Sequence, residues 1–162
     1  MIKKNELKEE QITRDEVLSM DIATHTGYYS THASGTWNFK KKQRENDSVE
    51  MMKFYETVKE FVLKYGIKQI VVEDINVNNH FTDMRKLSKF RGVLELLCAE
   101  LGLPDPKSVN VSTVKKWATG NGHADKQMMI DFCKKRWGTT PVDDNEADAT
   151  HIFKYFVRMY RL

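Results

Sequence analysis

The stretch QIVVEDINVNNHFTDMRKLSKFRG, residues 69–92, sets the frame for the whole chain. Ile70, Val71 and Val72 form a β-branched apolar run of the kind that makes a strand covered on both faces. The run delivers Glu73 and Asp74 to the strand's carboxyl edge, where open α/β sheets gather their ligands. A carboxylate there requires a partner, whether water, a base or a metal ion. Thr82 or Asp83 then opens a long helix carried by Met84, Leu87, Phe90 or Arg91, Leu94, Leu97, Cys98 and Leu101. It ends at Gly102, and Pro104 and Pro106 forbid its continuation.

Upstream of this unit, Asp47 with Glu50 three residues later is a capping-box-like helix start. Met51, Phe54, Tyr55, Val58, Phe61, Val62 and Tyr65 follow at helical spacing, closed by Gly66. Further back, Val17, Leu18 and Met20 predict a first strand ending at Asp21. Thr24, Thr26 and Gly27 are read as a turn into a second strand over residues 28–31, and Ser34-Gly35 as a turn into a third at TWNF, residues 36–39. Links this short predict an antiparallel meander. Downstream come a fifth strand over 108–111, a helix capped by Ser112 and reaching Trp117, and a Gly-Asn-Gly turn at 120–122. Two more helices are expected: one over 125–137 with Met129, Ile130, Phe132 and Cys133 on its apolar side, and one from Asp144 or Asn145 after the break at Pro141. The order βββαβαβααα predicts an α/β fold, a five-stranded mixed sheet with three antiparallel strands, then parallel ones, flanked by helices.

Length and composition fit this outline. A chain of 162 residues makes one domain that buries roughly two-thirds of its unfolded surface. No apolar run approaches the roughly 20 residues that cross a membrane, and MIKKNELKEEQITRDE, residues 1–16, has no apolar signal-peptide core. Residues 1–16 are therefore expected to be a charged arm, 17–162 the domain, the location cytoplasmic, and a membrane no partner. Cys98 and Cys133 lack metal-ligand or CxxC spacing and are expected to be core thiols. A net charge of +3 does not announce nucleic-acid binding alone, although Lys40, Lys41, Lys42 and Arg44 form a basic run and Lys115, Lys116 and Lys126 flank the Gly-rich turn. The run at 40–44 is read as a solvated face.

Acidic residues fall at three special places. Asp21 ends the first strand, Glu73 ends the fourth, and Asp144 and Asp148 share one face at the start of the last helix. Each has a bland reading as a turn former, and Asp143 or Asp144 is a ready helix cap. Together, clustered carboxylates repel unless they share protons or hold hard cations, and magnesium takes a few carboxylates plus water and phosphate. Two such ions about 4 Å apart are an arrangement that hydrolyses phosphodiesters.

From Val17 to the last helix the chain resembles the RuvC-type Holliday junction resolvases of the RNase H-like fold. VLSMDIATHTGY is similar to the family's opening strand and Thr-Gly-Tyr turn, IVVED to the strand with its catalytic Glu, and KLSKFRGV to its helix motif KLGQARGV. VKKWATGNGHADKQMM and EADA complete the series. The resemblance implies Asp21, Glu73 and Asp148 as catalytic metal ligands for Mg²⁺, with Mn²⁺ able to substitute; Asp144 is the expected fourth ligand, with Asn145 as a weaker oxygen donor. It further implies Lys115 and Lys126 beside DNA phosphates, Arg91 as a phosphate contact or a structural ion pair, and Gly92 as a site of close helix packing.

Three departures stand out. The family's Asp-Pro-Gly is Asp21-Ile22-Ala23 here. Its fourth ligand falls at Asn145, although Asp144 lies within about 60° of the Asp148 face at roughly 100° per residue. Its aromatic wedge falls at Asn76, and Phe81 in the same loop is the candidate replacement. The expected protein is a homodimeric, magnesium-dependent endonuclease resolving Holliday junctions or other branched DNA, with a helix over 82–101 as both core and dimer face. The competing expectations are a non-catalytic junction-binding module and an RNase H-like nuclease acting on another nucleic acid. An actin- or sugar-kinase-like phosphotransferase would need a longer chain with a second phosphate loop.

Overall fold

The computed structural model describes residues 11–75 and 80–162. Its strands are β1 (Val17–Asp21), β2 (His25–Tyr29), β3 (Ser34–Asn38), β4 (Gln69–Glu73) and β5 (Lys107–Val109). They form one sheet in the order β3-β2-β1-β4-β5, antiparallel from β3 to β1 and parallel from β1 to β5. This is the mixed sheet that the element order predicts. Central β1 and β4 are apolar on both faces because both faces are covered. Leu18, Met20, Ile70 and Val72 meet α1 (Ser48–Tyr65) and α2 (Phe81–Glu100) through Phe54, Phe61, Phe90, Leu94 and Leu97. The alternate positions Val17 and Val71 meet Ile152, Phe153 and Phe156 of α5 (Asp144–Tyr160). α3 (Val111–Thr119) and α4 (Lys126–Trp137) pack against α5. Cys98 and Cys133 are buried free thiols, as expected. Among the described residues, no helix is long and apolar enough to cross a membrane.

Several local expectations are corrected. β2 begins three residues earlier than predicted, because Thr26 and Gly27 do not turn the chain but pair in register with Trp37 and Thr36. The turn precedes them: the Thr26 hydroxyl donates to the Ala23 carbonyl at 2.6 Å and accepts from the Ala23 amide at 3.2 Å. The capping box expected at Asp47 does not form; Asp47 pairs with Lys41 and Lys89, and Glu50 pairs with Lys86. α3 is capped not by Ser112 but by Asn110, whose side chain accepts from the Thr113 amide at 3.0 Å. Part of the charged arm is fastened to the body: Glu16 pairs with Lys68, the Asp15 carboxylate accepts from Thr31, and Ile12 packs beside Phe153 and Phe156. Gly92 is not a tight packing point within the chain, since a Cβ there would meet nothing within 4 Å.

Gly27 has the role assumed for Gly92. A Cβ on it would lie 1.8 Å from the Asn145 carbonyl oxygen, so only glycine lets α5 rest on β2. Gly27→Ala is expected to cost about 1–3 kcal/mol through overpacking, measured by urea unfolding. An unchanged transition midpoint would contradict this contact.

Candidate active site

The parallel register of β1 and β4 pairs Leu18 with Ile70 and Met20 with Val72. The next residues along, Asp21 and Glu73, are therefore delivered side by side at the carboxyl edge of the sheet. Their carboxyls stand close enough for each to change the other's proton affinity. α5 brings Asp148 toward them from the opposite layer, and the negative charges of Asp21 and Asp148 both act on Glu73. Asp144, one helical turn before Asp148, adds its charge to the fields at Asp21 and Asp148.

The start of α5 is latched onto the β2–β3 hairpin. Asp143 caps the helix by accepting from the Glu146 amide at 2.9 Å and also accepts from the Thr36 hydroxyl at 2.7 Å. Buried Glu146 accepts from the Ser34 hydroxyl at 2.8 Å and from the Val142 amide at 2.6 Å. The sequence reading missed Glu146, Thr36 and Ser34. The Asp-x-x-Glu spacing at 143–146 is the signal that could have found the first of them.

Burial is the leading cause of the unusual proton affinities here. It raises the Asp21 carboxyl to about 6, against the opposing effect of Glu73, while the Asp144 charge raises it further and Lys115 lowers it. Glu73 rises to about 8 through burial, then through the charges of Asp21 and Asp148. Asp148 rises to about 8 through burial and the charge of Asp21, opposed by Lys115. Lys115 of α3 thus acts on all three carboxyls. Lys126, at the start of α4 and with its side chain 83% exposed, pairs with Asp144 at 3.4 Å.

Among the described residues, no three acidic, histidine or cysteine side chains already stand in metal-ligating geometry. The donors are held instead by one another and by lysine. Their chemistry nonetheless fits a hard cation: all are carboxylates, and Asp148 Oδ1 is buried with no hydrogen-bond partner. Asp21, Glu73, Asp144 and Asp148 are the residues that could hold such an ion.

The cleft beside Asp21 and Glu73 is lined by Ile22, Asp74, Ile75, Leu87 and Arg91. It continues along α2 past Asp83, Lys86 and Phe90. Arg91 donates to the Ser108 hydroxyl and pairs with Glu95 at 3.7 Å, yet its Nε is buried without a hydrogen bond. Of the two roles weighed for Arg91, the ion pair is the one seen, with Nε facing Glu95. Phe81, the first residue of α2, stands outside the cleft lining and is 79% exposed. The wedge position Asn76 lies outside the described residues.

The family model for "Crossover junction endodeoxyribonuclease RuvC" matches residues 26–152. The RuvC of Rickettsia conorii is 33% identical over 98 residues, which are 59% of this chain and 62% of that protein. The RuvC of Ruegeria pomeroyi is 31% identical over 103 residues, 63% of this chain and 62% of its own. The chain thus spans about 62% of the length of these curated relatives. The structure of Thermus thermophilus RuvC shares 20% identity and superposes with a TM-score of 0.70, covering 88% of this chain and 95% of that one. The same protein in complex with a Holliday junction substrate gives the same TM-score of 0.70 over 88% and 94%. The yeast mitochondrial Holliday junction resolvase gives 0.62 at 12% identity, over 94% and 82%. The sheet order and these superpositions agree on the RNase H-like fold.

The three raised carboxyls have a stability consequence whose sign is fixed. Each binds its proton to higher pH in the folded chain than in the unfolded one. The folded state therefore carries the excess protons between about pH 4 and pH 8, and the metal-free protein loses stability as pH rises through that window. Asp148→Asn is expected to raise the melting temperature of the metal-free protein at pH 8 by about 2–4 °C, the response of a domain this size to ~1 kcal/mol. At pH 4, where the carboxyl is already neutral, thermal melts of variant and parent should coincide. A lower melting temperature for the variant at pH 8 would refute the repulsion.

Proposed function

Because the chain belongs to the family of crossover junction endodeoxyribonuclease RuvC, we propose that it is a structure-selective DNA endonuclease of recombination and repair. It resolves Holliday junctions, or other branched DNA, by metal-dependent phosphodiester hydrolysis. It does so as a homodimer whose two sites make paired nicks. The observation that carries this reading is the convergence of Asp21, Glu73 and Asp148 from two parallel strand ends and a helix, with the buried Asp148 Oδ1 unpartnered. The junction-bound form of the matched Thermus thermophilus RuvC supports a four-way junction as substrate.

Divalent cations, magnesium with manganese able to substitute, held by Asp21, Glu73, Asp144 and Asp148, would supply Lewis-acid stabilisation of charge at the scissile phosphate. The residues around them do the positioning. The register of β1 with β4 sets the Asp21 and Glu73 carboxyls side by side, where both would be deprotonated to hold a cation. Lys115 restrains the carboxylate field, and Lys126, tethered to Asp144 at the mouth, anchors the incoming phosphate. Arg91 lends the cleft wall its positive charge, while its Nε faces Glu95 and its Nη2 donates to Ser108. Exposed Phe81 offers a ring to an unstacked base beside the cleft.

α2 supports the dimer. Its inner face carries Phe90, Leu94 and Leu97, while Leu96 on the outer face is 66% exposed near the open space at Gly92. An exposed leucine beside a bare helix surface fits a second helix, and a protein dyad through α2 matches the two-fold symmetry of a four-way junction.

Cleavage of a four-way junction, a flap, plain duplex and an RNA–DNA hybrid in Mg²⁺ and in Mn²⁺ tests the reading. The junction is expected to be nicked fastest. Asp148→Asn should lose cleavage by about 10²–10³-fold or more while junction affinity in EDTA stays nearly constant. Binding without nicking in either metal would make the chain a junction-binding module, and preference for the hybrid would make it an RNA-directed enzyme. Leu96→Glu is expected to halve the mass in light scattering to one 19.0 kDa chain and to convert paired nicks into single ones. A variant that stays dimeric would move the interface elsewhere.

A further inference from the structure

The end of the molecule remote from the carboxylates carries a second concentration of charge. α4 finishes with Lys134, Lys135 and Arg136, and α5 carries Lys154, Arg158 and, just past its end, Arg161. All are exposed except Lys154, which is half-buried. Among the described residues, none of the six pairs with a carboxylate. The whole chain has a net charge of only +3, so these cations outweigh it. Helix C-termini attract positive charge, but each presents only about half a negative charge. Two helix ends do not account for six cations.

An open groove of roughly 640 Å³ runs among them, with Trp117, Arg136, Trp137, Lys154, Arg158 and Arg161 on its walls and no acidic residue. Two of the cations are fixed in advance. The Arg136 guanidinium lies 4.6 Å from the ring centres of both Trp117 and Trp137, and its Nη1 donates to the Trp117 and Ala118 carbonyls at 2.7 and 3.1 Å. Its Nε and Nη2 remain for a ligand. The Lys154 ammonium lies 5.5 Å from the Tyr29 ring and 5.6 Å from that of Trp137. Cations already held by stacking lose little freedom when an anion arrives.

We propose that this groove seats the phosphate backbone of a duplex arm, as an anchor separate from the carboxylates. The inference rests on the nucleic-acid reading above. Lys154 and Arg158, four residues apart, share one face of α5, and Arg161 follows just past its end. They extend about 10 Å, the axial span of about three phosphates on one strand. Arg158 is ten residues beyond Asp148, about 15 Å along α5, so the backbone it meets lies several base pairs from the scissile phosphate. The site is too open for a small anion. An acidic protein surface would need an apolar anchor, whereas the two indoles are stacked at 5.6 Å and occupied by Arg136.

The test is equilibrium binding of the full chain to plain duplex and to a four-way junction in EDTA, across a salt series, which requires no cleavage. The double variant Arg158→Gln/Arg161→Asn keeps the left-handed backbone at residue 161, where φ is 55°, within reach of asparagine. The slope of log Kd against log salt is expected to fall by about 1 for each residue replaced. Lys53→Gln/Lys64→Gln on α1, which covers the opposite face of the sheet, removes equal charge and should leave the slope unchanged. An unchanged slope in the groove variant, or an equal fall in the α1 control, overturns the proposal while leaving any cleavage result intact. Failure of the parent chain to bind DNA at all overturns it together with the nucleic-acid reading.

Discussion

Two half-buried carboxylates side by side at the ends of neighbouring parallel strands form the constraint on which the rest of the structure depends. The register of β1 with β4 leaves Asp21 and Glu73 no freedom to separate. Away from bulk water they resist being charged together without a compensating cation, and both hold their protons more tightly than an ordinary carboxyl. Asp148 adds a third negative group to the same field, and Lys115 acts on all three. Such an assembly is destabilised for the sake of what it can hold, which is the usual relation between an active site and the stability of its host.

That strain needs a rigid frame, and the frame is built at the start of α5. Asp143 and Glu146 fasten the helix to Thr36 and Ser34 of β3, and the missing side chain of Gly27 lets the helix backbone approach β2. Without both devices, Asp144 and Asp148 would stand farther from the sheet edge. A second fastening lies one turn on. Trp137 donates to His151 Nδ1 at 3.1 Å, which places the proton on Nε2, 2.8 Å from the Met129 carbonyl. Burial holds that imidazole below its ordinary proton affinity, in keeping with a neutral ring that pins α4 to α5.

The sheet was legible because β4 carries an unbroken apolar run and β1 one interrupted only by Ser19, a pattern that few other structures tolerate. Its carboxylates were legible because they terminate those runs. The hairpin boundaries were not: Gly27 reads as a turn residue in isolation, and only the arrival of α5, more than a hundred residues later, gives its bareness a purpose. The caps failed for a related reason. Asp47 and Glu50 have the spacing of a capping box, but Lys41, Lys86 and Lys89 compete for them from other segments. Gly92 shows the opposite error, a helical glycine assigned to tight packing that faces open space in the single chain.

α5 ties the two charged regions together. Its first turns carry the carboxylates at the positive end of the helix dipole, and its last carry Arg158 and Arg161 at the negative end. Asn145 departs from the expected acidic position, yet its backbone still lies close against Gly27. Asp144, next to it, supplies the charge felt by Asp21 and Asp148 and keeps Lys126 at the mouth of the site. The departure therefore shifts a negative charge by one residue without removing it from the shared field. The helix can keep its acidic end on the sheet edge because the bonds that fasten it come from Asp143 and Glu146 and the room for it from Gly27, none of which depends on the side chain at 145.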